Sequence, residues 1–295
     1  MKASSALQRH FREQFGSDMS SVSSVGGGCI NETMQVTLDD GRRYFVKKNR
    51  QALRDMFEKE AMGLQLLAGA TNEGDASEIR IPEPHGLADD ASQGHAYLIL
   101  SFVDESRSSG DFDTRFGRAL ADMHRHTAPQ FGLDHDNYIG SLPQKNDRHE
   151  RWTDFFMDCR LEPQFAMARE HGHFSGPIRD SLDRLGRQLA DLLPDEQPAL
   201  LHGDLWGGNY LCDRDNRPVL IDPAVYYGHR EAELAFTTMF GGFGRNFYKG
   251  YEASFPLEPG FTERRDIYNL YPLLVHVNLF GGMYITQAES ILRRY

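Results

Sequence analysis

Apolar residues recur at every fourth position near the start of the chain, at Leu7, Phe11 and Phe15 behind Ser4-Ser5, and this spacing predicts a short amphipathic helix. The period then drops to two. Met34, Val36 and Leu38 alternate with polar residues, Asp39-Asp40-Gly41 supplies a turn, and Tyr44-Phe45-Val46-Lys47 runs back, so a hairpin is predicted. Just upstream, Gly26-Gly27-Gly28-Cys29-Ile30-Asn31 interrupts β-like sequence. From about Gln51 to Ala70 the spacing is helical, with Phe57, Ala61, Leu64 and Leu67 on one stripe, and residues 71–78 read as a loop. Tyr97–Val103 predicts a buried strand, followed by an acidic, Ser/Gly-rich stretch at 104–111. That shift in composition sets the expected boundary between a small β-rich lobe, 1–103, and a larger, mainly helical lobe, 104–295. In the second lobe helices dominate, for example around Phe116, Leu120 and Met123, and a strand pair within 200–222 breaks them. The expected class is α+β in two lobes.

Composition narrows the partners. The 295 residues carry a formal net charge of −11, which argues against nucleic acid or an anionic membrane as the main partner. No apolar run has the length of a transmembrane helix, and the N-terminus lacks the apolar core of a signal peptide. Cys29, Cys159 and Cys212 are too few and too scattered for a disulfide framework, so a reducing, cytoplasmic setting is expected.

The densest chemistry lies in His202-Gly203-Asp204-Leu205-Trp206-Gly207-Gly208-Asn209, with Asp222 at the end of Val219-Leu220-Ile221. A lone His-Gly-Asp reads as a turn. An Asp, an Asn five residues on and a second strand-ending Asp reproduce the order of groups that phosphoryl transfer requires. On that reading Asp204 accepts or orients the proton of an acceptor hydroxyl, while Asn209 and Asp222 offer hard oxygen ligands suited to Mg²⁺.

Two upstream features fit a nucleotide beside that site. Glu60 falls on the apolar stripe of the 51–70 helix, where an unpaired carboxylate is costly, so it calls for a cation. Lys47, at the end of the preceding strand, is the natural partner. Lys48 points to the opposite face, and Glu58 lies off the stripe. A strand Lys held by a helix Glu is the pair that grips ATP phosphates in kinases. Gly26, Gly27 and Gly28 fit a loop folded over those phosphates, although a plain flexible turn explains them as well and the P-loop spacing is absent. Cys29 at that tip is a candidate redox-sensitive thiol, able to join two chains as a disulfide dimer. The plainer reading is a half-buried, inert Cys.

The chain resembles the fructosamine kinase family (fructosamine-3-kinase, ketosamine-3-kinase and protein-ribulosamine 3-kinase), within the aminoglycoside-phosphotransferase-like kinases. The matching stretches are G-G-G-C-I-N (26–31), F-V-K (45–47), M-F-E-K-E (56–60), N-Y-I-G (137–140), H-G-D-L-W-G-G-N (202–209), D-P-A-V-Y-Y-G-H-R-E (222–231), M-F-G-G-F (239–243) and L-Y-P-L-L-V-H-V-N-L-F-G-G (270–282). The segment from Asp222 to Glu231 is the most specific of them. Gly203 and Pro223-Ala224 depart from the protein-kinase pattern, which weighs against control by activation-loop phosphorylation. The resemblance implies a two-lobed protein-kinase-like fold, use of ATP and Mg²⁺, and phosphorylation of the sugar 3-hydroxyl of ketoamines, either small molecules or glycated protein lysines. A 3-phosphate is β to the C2 carbonyl, so elimination then releases the amine, a repair of glycation. Ser101, Phe102 and Val103 would contact adenine by position. Trp206 either stacks on the sugar or its amine arm, or packs the loop onto the second lobe. His276 is either a core histidine or a cleft residue. The competing readings are a kinase for an aminoglycoside, choline or a methylthio-sugar, and a non-catalytic pseudokinase.

Overall fold

The computed structural model describes residues 4–26, 30–72, 74–241 and 243–295. The chain opens with helix α1 (Ser5–Phe15), capped by the Ser4 hydroxyl, which accepts the Leu7 N–H at 3.1 Å. Strands β1 (Met19–Ser24), β2 (Glu32–Leu38) and β3 (Arg43–Arg50) follow. Helix α2 (Arg54–Ala70) and strands β4 (Pro84–Asp90) and β5 (His95–Ser101) complete the first part. The five strands form one antiparallel sheet in the order β1-β2-β3-β5-β4. Its two faces carry different helices. Val36, Tyr44, Val46 and Ile99 pack against Leu7 and Phe11 of α1, whereas Leu98 and Leu100 pack against Phe57, Ala61 and Leu64 of α2. Side chains alternate along β3, so Phe45 and Lys47 share the α2 face and Tyr44, Val46 and Lys48 the other.

The second part holds α3 (Phe112–Met123), a short hairpin β6 (Asn137–Ile139) and β7 (Leu142–Gln144), and α4 (Trp152–Phe155), which continues through a wide π-turn at 156–161 into α5 (Glu162–Glu170). Then come α6 (Gly176–Leu192), β8 (Ala199–Leu201), β9 (Tyr210–Cys212), β10 (Pro218–Leu220), β11 (Tyr226–Gly228), α7 (Arg230–Thr237), α8 (Arg245–Ser254), α9 (Phe261–Phe280) and α10 (Met283–Leu292). The architecture is α+β, as expected. The region 200–222 departs from the expectation of one strand pair. β9 pairs with β10, but β8 pairs with β11, beyond Asp222. The run from His202 to Asn209 is therefore a loop between two small sheets. The β6–β7 hairpin was also not foreseen among the helices.

The helical core gathers Phe155, Phe156, Leu182, Leu185, Leu189, Leu270 and Leu274. A second cluster ties the two parts together. Leu67 and Ala70 at the end of α2, with Ala76 and Ile79, bury against Phe116, Leu120, Leu205 and Leu220. Arg80 splices into β10: its N–H donates to the Pro218 carbonyl at 2.8 Å, and its carbonyl accepts the Leu220 N–H at 3.0 Å. Among the described residues no helix is long and apolar enough to cross a membrane.

Helices α3 and α8 touch through glycines. A Cβ on Gly117 would lie 2.0 Å from the Phe247 carbonyl oxygen, and one on Gly250 would lie 2.2 Å from that of Thr114. Gly117→Ala must push the helices apart. It is expected to cost about 1–3 kcal/mol, the range for an overpacked core, read as a fall in melting temperature. An unchanged melt would show that the helices do not cross this closely.

Candidate active site

The alternation along β3 delivers Lys47 to the face covered by α2, where it is 3 % exposed. Its Nζ lies 2.6 Å from Glu60 Oε1 and also pairs with Asp222 Oδ1. Burial works against the ammonium, but the carboxylates of Glu60 and Asp222 prevail and hold its pKa above the ordinary lysine value. Lys48 instead reaches the exposed Glu32 at 3.1 Å, and Glu58 pairs with Arg54 on the outside of α2. The expected Lys47–Glu60 pair is thus formed, and Asp222 joins it from the second part of the chain. Lys47→Ala is expected to raise the KM for ATP by about 10–100-fold, the worth of a hydrogen bond to a charged group, whereas Lys48→Ala leaves it within about twofold. Steady-state kinetics on the two variants checks this, and equal effects would remove Lys47 from the site.

The loop between β8 and β9 is held from below. Glu233, on α7 and 3 % exposed, accepts the N–H of His202 (3.2 Å), the N–H of Gly203 (2.7 Å) and His124 Nε2 (3.0 Å). Burial alone would raise its pKa, but the hydrogen bonds and charge of His124, with His202 and Gly203, outweigh it and lower it. His202 Nε2 donates to the Ile221 carbonyl at 2.9 Å, and its Nδ1 accepts the Asp204 N–H at 3.3 Å. Burial lowers the His202 pKa, so the ring is neutral and serves as a strut. Gly203 adopts φ +83°, and a Cβ there would lie 2.0 Å from the Ala224 carbonyl oxygen; only glycine lets the loop lie against the Asp222 turn. Neither Glu233 nor His124 was foreseen. The available signal was an acid within the apolar stretch Ala232–Phe236, the same reasoning that singled out Glu60.

Asp204, Asn209 and Asp222 converge at the mouth of this loop. Asn209 Nδ2 donates to the Asp204 carbonyl at 2.8 Å and to Asp204 Oδ2 at 2.9 Å. Its Oδ1 accepts no hydrogen bond among the described residues and stays free for a cation. Burial lifts the Asp204 carboxyl well above the usual carboxylate range; the Asn209 amide offsets part of this, and the charges of Asp222 and Glu233 add to it. Asp222 has φ +55°, an uncommon conformation for a residue with a side chain, and its carboxylate is nearly half exposed. One carboxylate and one amide oxygen, both hard donors, fit Mg²⁺.

Trp206 and His276 lie on one aromatic shelf. Trp206, 37 % exposed, meets Phe240 edge-on at 6.3 Å, and Phe240 lies 4.7 Å from His276 by ring centroids. Tyr284 and Phe280 continue the shelf at 4.9 and 5.5 Å from His276. His276 Nδ1 donates to the Pro272 carbonyl, and burial lowers its pKa, so the ring is uncharged. Ser101 Oγ hydrogen-bonds His85 Nε2 at 3.0 Å on the α1 face of the sheet, opposite to Lys47, and Phe102 stacks under Arg43 at 4.9 Å. Gly26 is described and lies two residues past the end of β1, while Gly27, Gly28 and Cys29 lie outside the described residues. Cys159 and Cys212 are both buried free thiols.

The sequence model of the fructosamine kinase family matches residues 3–295. The chain is 42% identical over 275 residues to a protein of Synechocystis sp. named probable ketoamine kinase, covering 92% of this chain and 88% of that one. It is 40% identical over 278 residues to the chloroplastic protein-ribulosamine 3-kinase of Arabidopsis thaliana, covering 93% and 82%. A crystal structure from Haemophilus somnus 129PT that bears the name putative fructosamine-3-kinase superposes with a TM-score of 0.85 at 30% identity, over 98% of this chain and 96% of that one. A choline kinase from Streptococcus pneumoniae, 14% identical with a TM-score of 0.59, shares the two-lobed kinase fold alone. The match along the whole chain, together with an ion-paired Lys47 and the convergence of Asp204, Asn209 and Asp222, places the protein in the fructosamine kinase family.

Proposed function

We propose that the protein is an ATP-dependent ketoamine kinase that phosphorylates the sugar 3-hydroxyl of fructosamine or ribulosamine adducts, free or on protein lysines. The observation that carries the phosphotransferase reading is the single ion-pair chain Glu60–Lys47–Asp222 across the cleft, with Asp204 and Asn209 hydrogen-bonded beside it. A pseudokinase usually lacks one of these. The substrate class comes from the relatives named for ketoamines, since the choline kinase shares only the fold.

In this reading a new bond forms between the acceptor oxygen and the γ-phosphorus, and the bond to the β–γ bridging oxygen breaks, releasing ADP. Asp204 takes or orients the hydroxyl proton. Lys47, fixed by Glu60, offers its ammonium to the α- and β-phosphates. Mg²⁺ held by Asn209 and Asp222 would supply charge neutralisation. Gly26 with Gly27 and Gly28 would cover the phosphates, and Ser101, Phe102 and Val103 would line the adenine site between the sheet and the helical part, which we divide at 103/104. The shelf from Trp206 to His276 suits the amine arm: a protonated secondary amine is attracted to aromatic faces, and a neutral His276 does not repel it. The proposed setting is cytoplasmic, in line with two buried free thiols among the described residues. A disulfide dimer through Cys29 stays a separate proposal, tested by sizing the oxidised protein.

ATP consumption with ribulosyl-lysine, fructosyl-lysine and unglycated lysine tests the reading. Turnover is expected with one or both ketoamines and not with lysine. Turnover only with choline or an aminoglycoside would replace the substrate class, and no turnover with any acceptor would favour a pseudokinase.

A further inference from the structure

The β6–β7 hairpin lies outside the five-stranded sheet and buries Ile139 in the helical core, and it also reaches the elements that bear the site. Asn137, Gln144 and Asn146 are three buried amides. Gln144 Nε2 donates to the Ala224 carbonyl at 3.0 Å and to Asn137 Oδ1 at 2.8 Å, and its Oε1 accepts the Tyr271 hydroxyl at 2.7 Å. Asn137 Nδ2 donates to the Val225 carbonyl at 2.8 Å. Asn146 donates to Asn137 Oδ1 at 2.9 Å and accepts from Arg160 at 2.8 Å. Both amide hydrogens of Gln144 and its oxygen therefore have partners, which gives the network one arrangement.

Arg160 is the post beneath this network. It is fully buried and pairs with no carboxylate among the described residues. Main-chain carbonyls of Lys145 and Cys159 and the Asn146 amide accept its protons, and its guanidinium lies 3.9 Å from the Tyr226 ring centroid and 4.4 Å from that of Phe155. A buried cation left without such partners would be costly.

What the hairpin grips is the main chain at Ala224. The Ala224 N–H donates to the His202 carbonyl at 2.9 Å, and its carbonyl oxygen presses on Gly203. Through both of its main-chain polar groups this one residue therefore spaces the Asp204 loop from the Asp222 turn. On its other side, the Tyr138 hydroxyl donates to Asp55 Oδ2 at 2.8 Å, in the first turn of α2, the helix that carries Glu60.

We propose that the 137–144 hairpin is a positioning device, in which Gln144 fixes the spacing between Asp204 and Asp222 and Tyr138 ties that spacing to the helix bearing Glu60. Both act through other groups, Ala224 and α2, and are positioning residues. The assignment rests on the phosphotransferase reading of Asp204 and Asp222.

Gln144→Met keeps the volume and removes the amide; Tyr138→Phe removes one hydroxyl. Gln144→Met is expected to lower kcat by about 10–100-fold, the scale of an ångström-sized misplacement, with the ketoamine KM within about twofold. Tyr138→Phe, at a more open site, is expected to raise the KM for ATP by about 3–10-fold, the worth of one hydrogen bond. Leu185→Ala, in the helical core, is the control: it lowers the melting temperature and leaves kcat intact below the melt. If Gln144→Met loses activity only as far as it unfolds, or if Tyr138→Phe matches wild type, the hairpin has no positioning role. If Gln144→Met does not fold, Tyr138→Phe alone decides. Wild type that phosphorylates no ketoamine would defeat the substrate reading separately. The hairpin is then judged by calorimetry of ATP with and without Mg²⁺, where Gln144→Met is expected to lose most of the Mg²⁺ enhancement, and an undiminished enhancement would overturn the proposal.

Discussion

Asp204→Asn is expected to cut turnover by about 10²–10⁴-fold, the usual worth of a positioned acid or base, while the fold and ATP binding persist. The substitution preserves shape. The loop also keeps its other supports: the Asp204 N–H on His202, the Asp204 carbonyl on Asn209, and the Gly203 N–H on Glu233. What is lost is the ability to take a proton from the acceptor hydroxyl or to orient it as an anion. Asp204 already sits where burial makes its charge costly, so an uncharged amide there should not destabilise the loop. The check is kcat at saturating ATP, alongside a melting curve and a nucleotide titration. Near wild-type turnover in a folded variant would move the base elsewhere.

Asp222→Ala is expected to abolish the Mg²⁺-dependent part of ATP binding. Two observations make Asp222 different from an ordinary surface carboxylate: its left-handed backbone, and its pairing with the buried Lys47 although its own side chain is open to the cleft. Removing it leaves Lys47 with Glu60 alone, so nucleotide phosphates keep their ammonium partner while the cation loses a carboxylate. ATP titrated in chelator should bind with similar affinity to wild type, and added Mg²⁺ should no longer tighten it. Asp222→Asn, which tolerates the positive φ, separates loss of charge from backbone strain. If Mg²⁺ tightens ATP equally in both variants, Asp222 is not a ligand.

Much of this site could be read before the fold was known, because the signals were local. Alternation along β3 separated Lys47 from Lys48, and the apolar stripe of α2 picked Glu60 from Glu58. The spacing in 202–209 and the strand before Asp222 carried the rest. What escaped was decided by pairing at a distance. β8 finds its partner in β11 and not in β9, and nothing in three-residue strands announces it. Asn137, Gln144 and Asn146 have the composition of a loop, and their burial follows from Arg160 and Tyr271 arriving from other elements. Glu233 matters because His124, far back in the chain, closes its hydrogen bonds. Gly27, Gly28 and Cys29 lie outside the described residues, and the phosphate-loop reading is a proposal.

The splice between Arg80 and β10 has a mechanical meaning. Two main-chain hydrogen bonds join the segment after α2 to the strand that ends just before Asp222. If the sheet swings relative to the helices, it turns about that joint, because breaking it would leave the buried main chain of Pro218 and Leu220 without these partners. Asp222 then sits close to the pivot and barely travels, while the outer rim of the sheet, remote from Arg80, moves furthest. Admission and release of nucleotide would be governed by that outer rim, and the carboxylate at the axis would stay in register throughout.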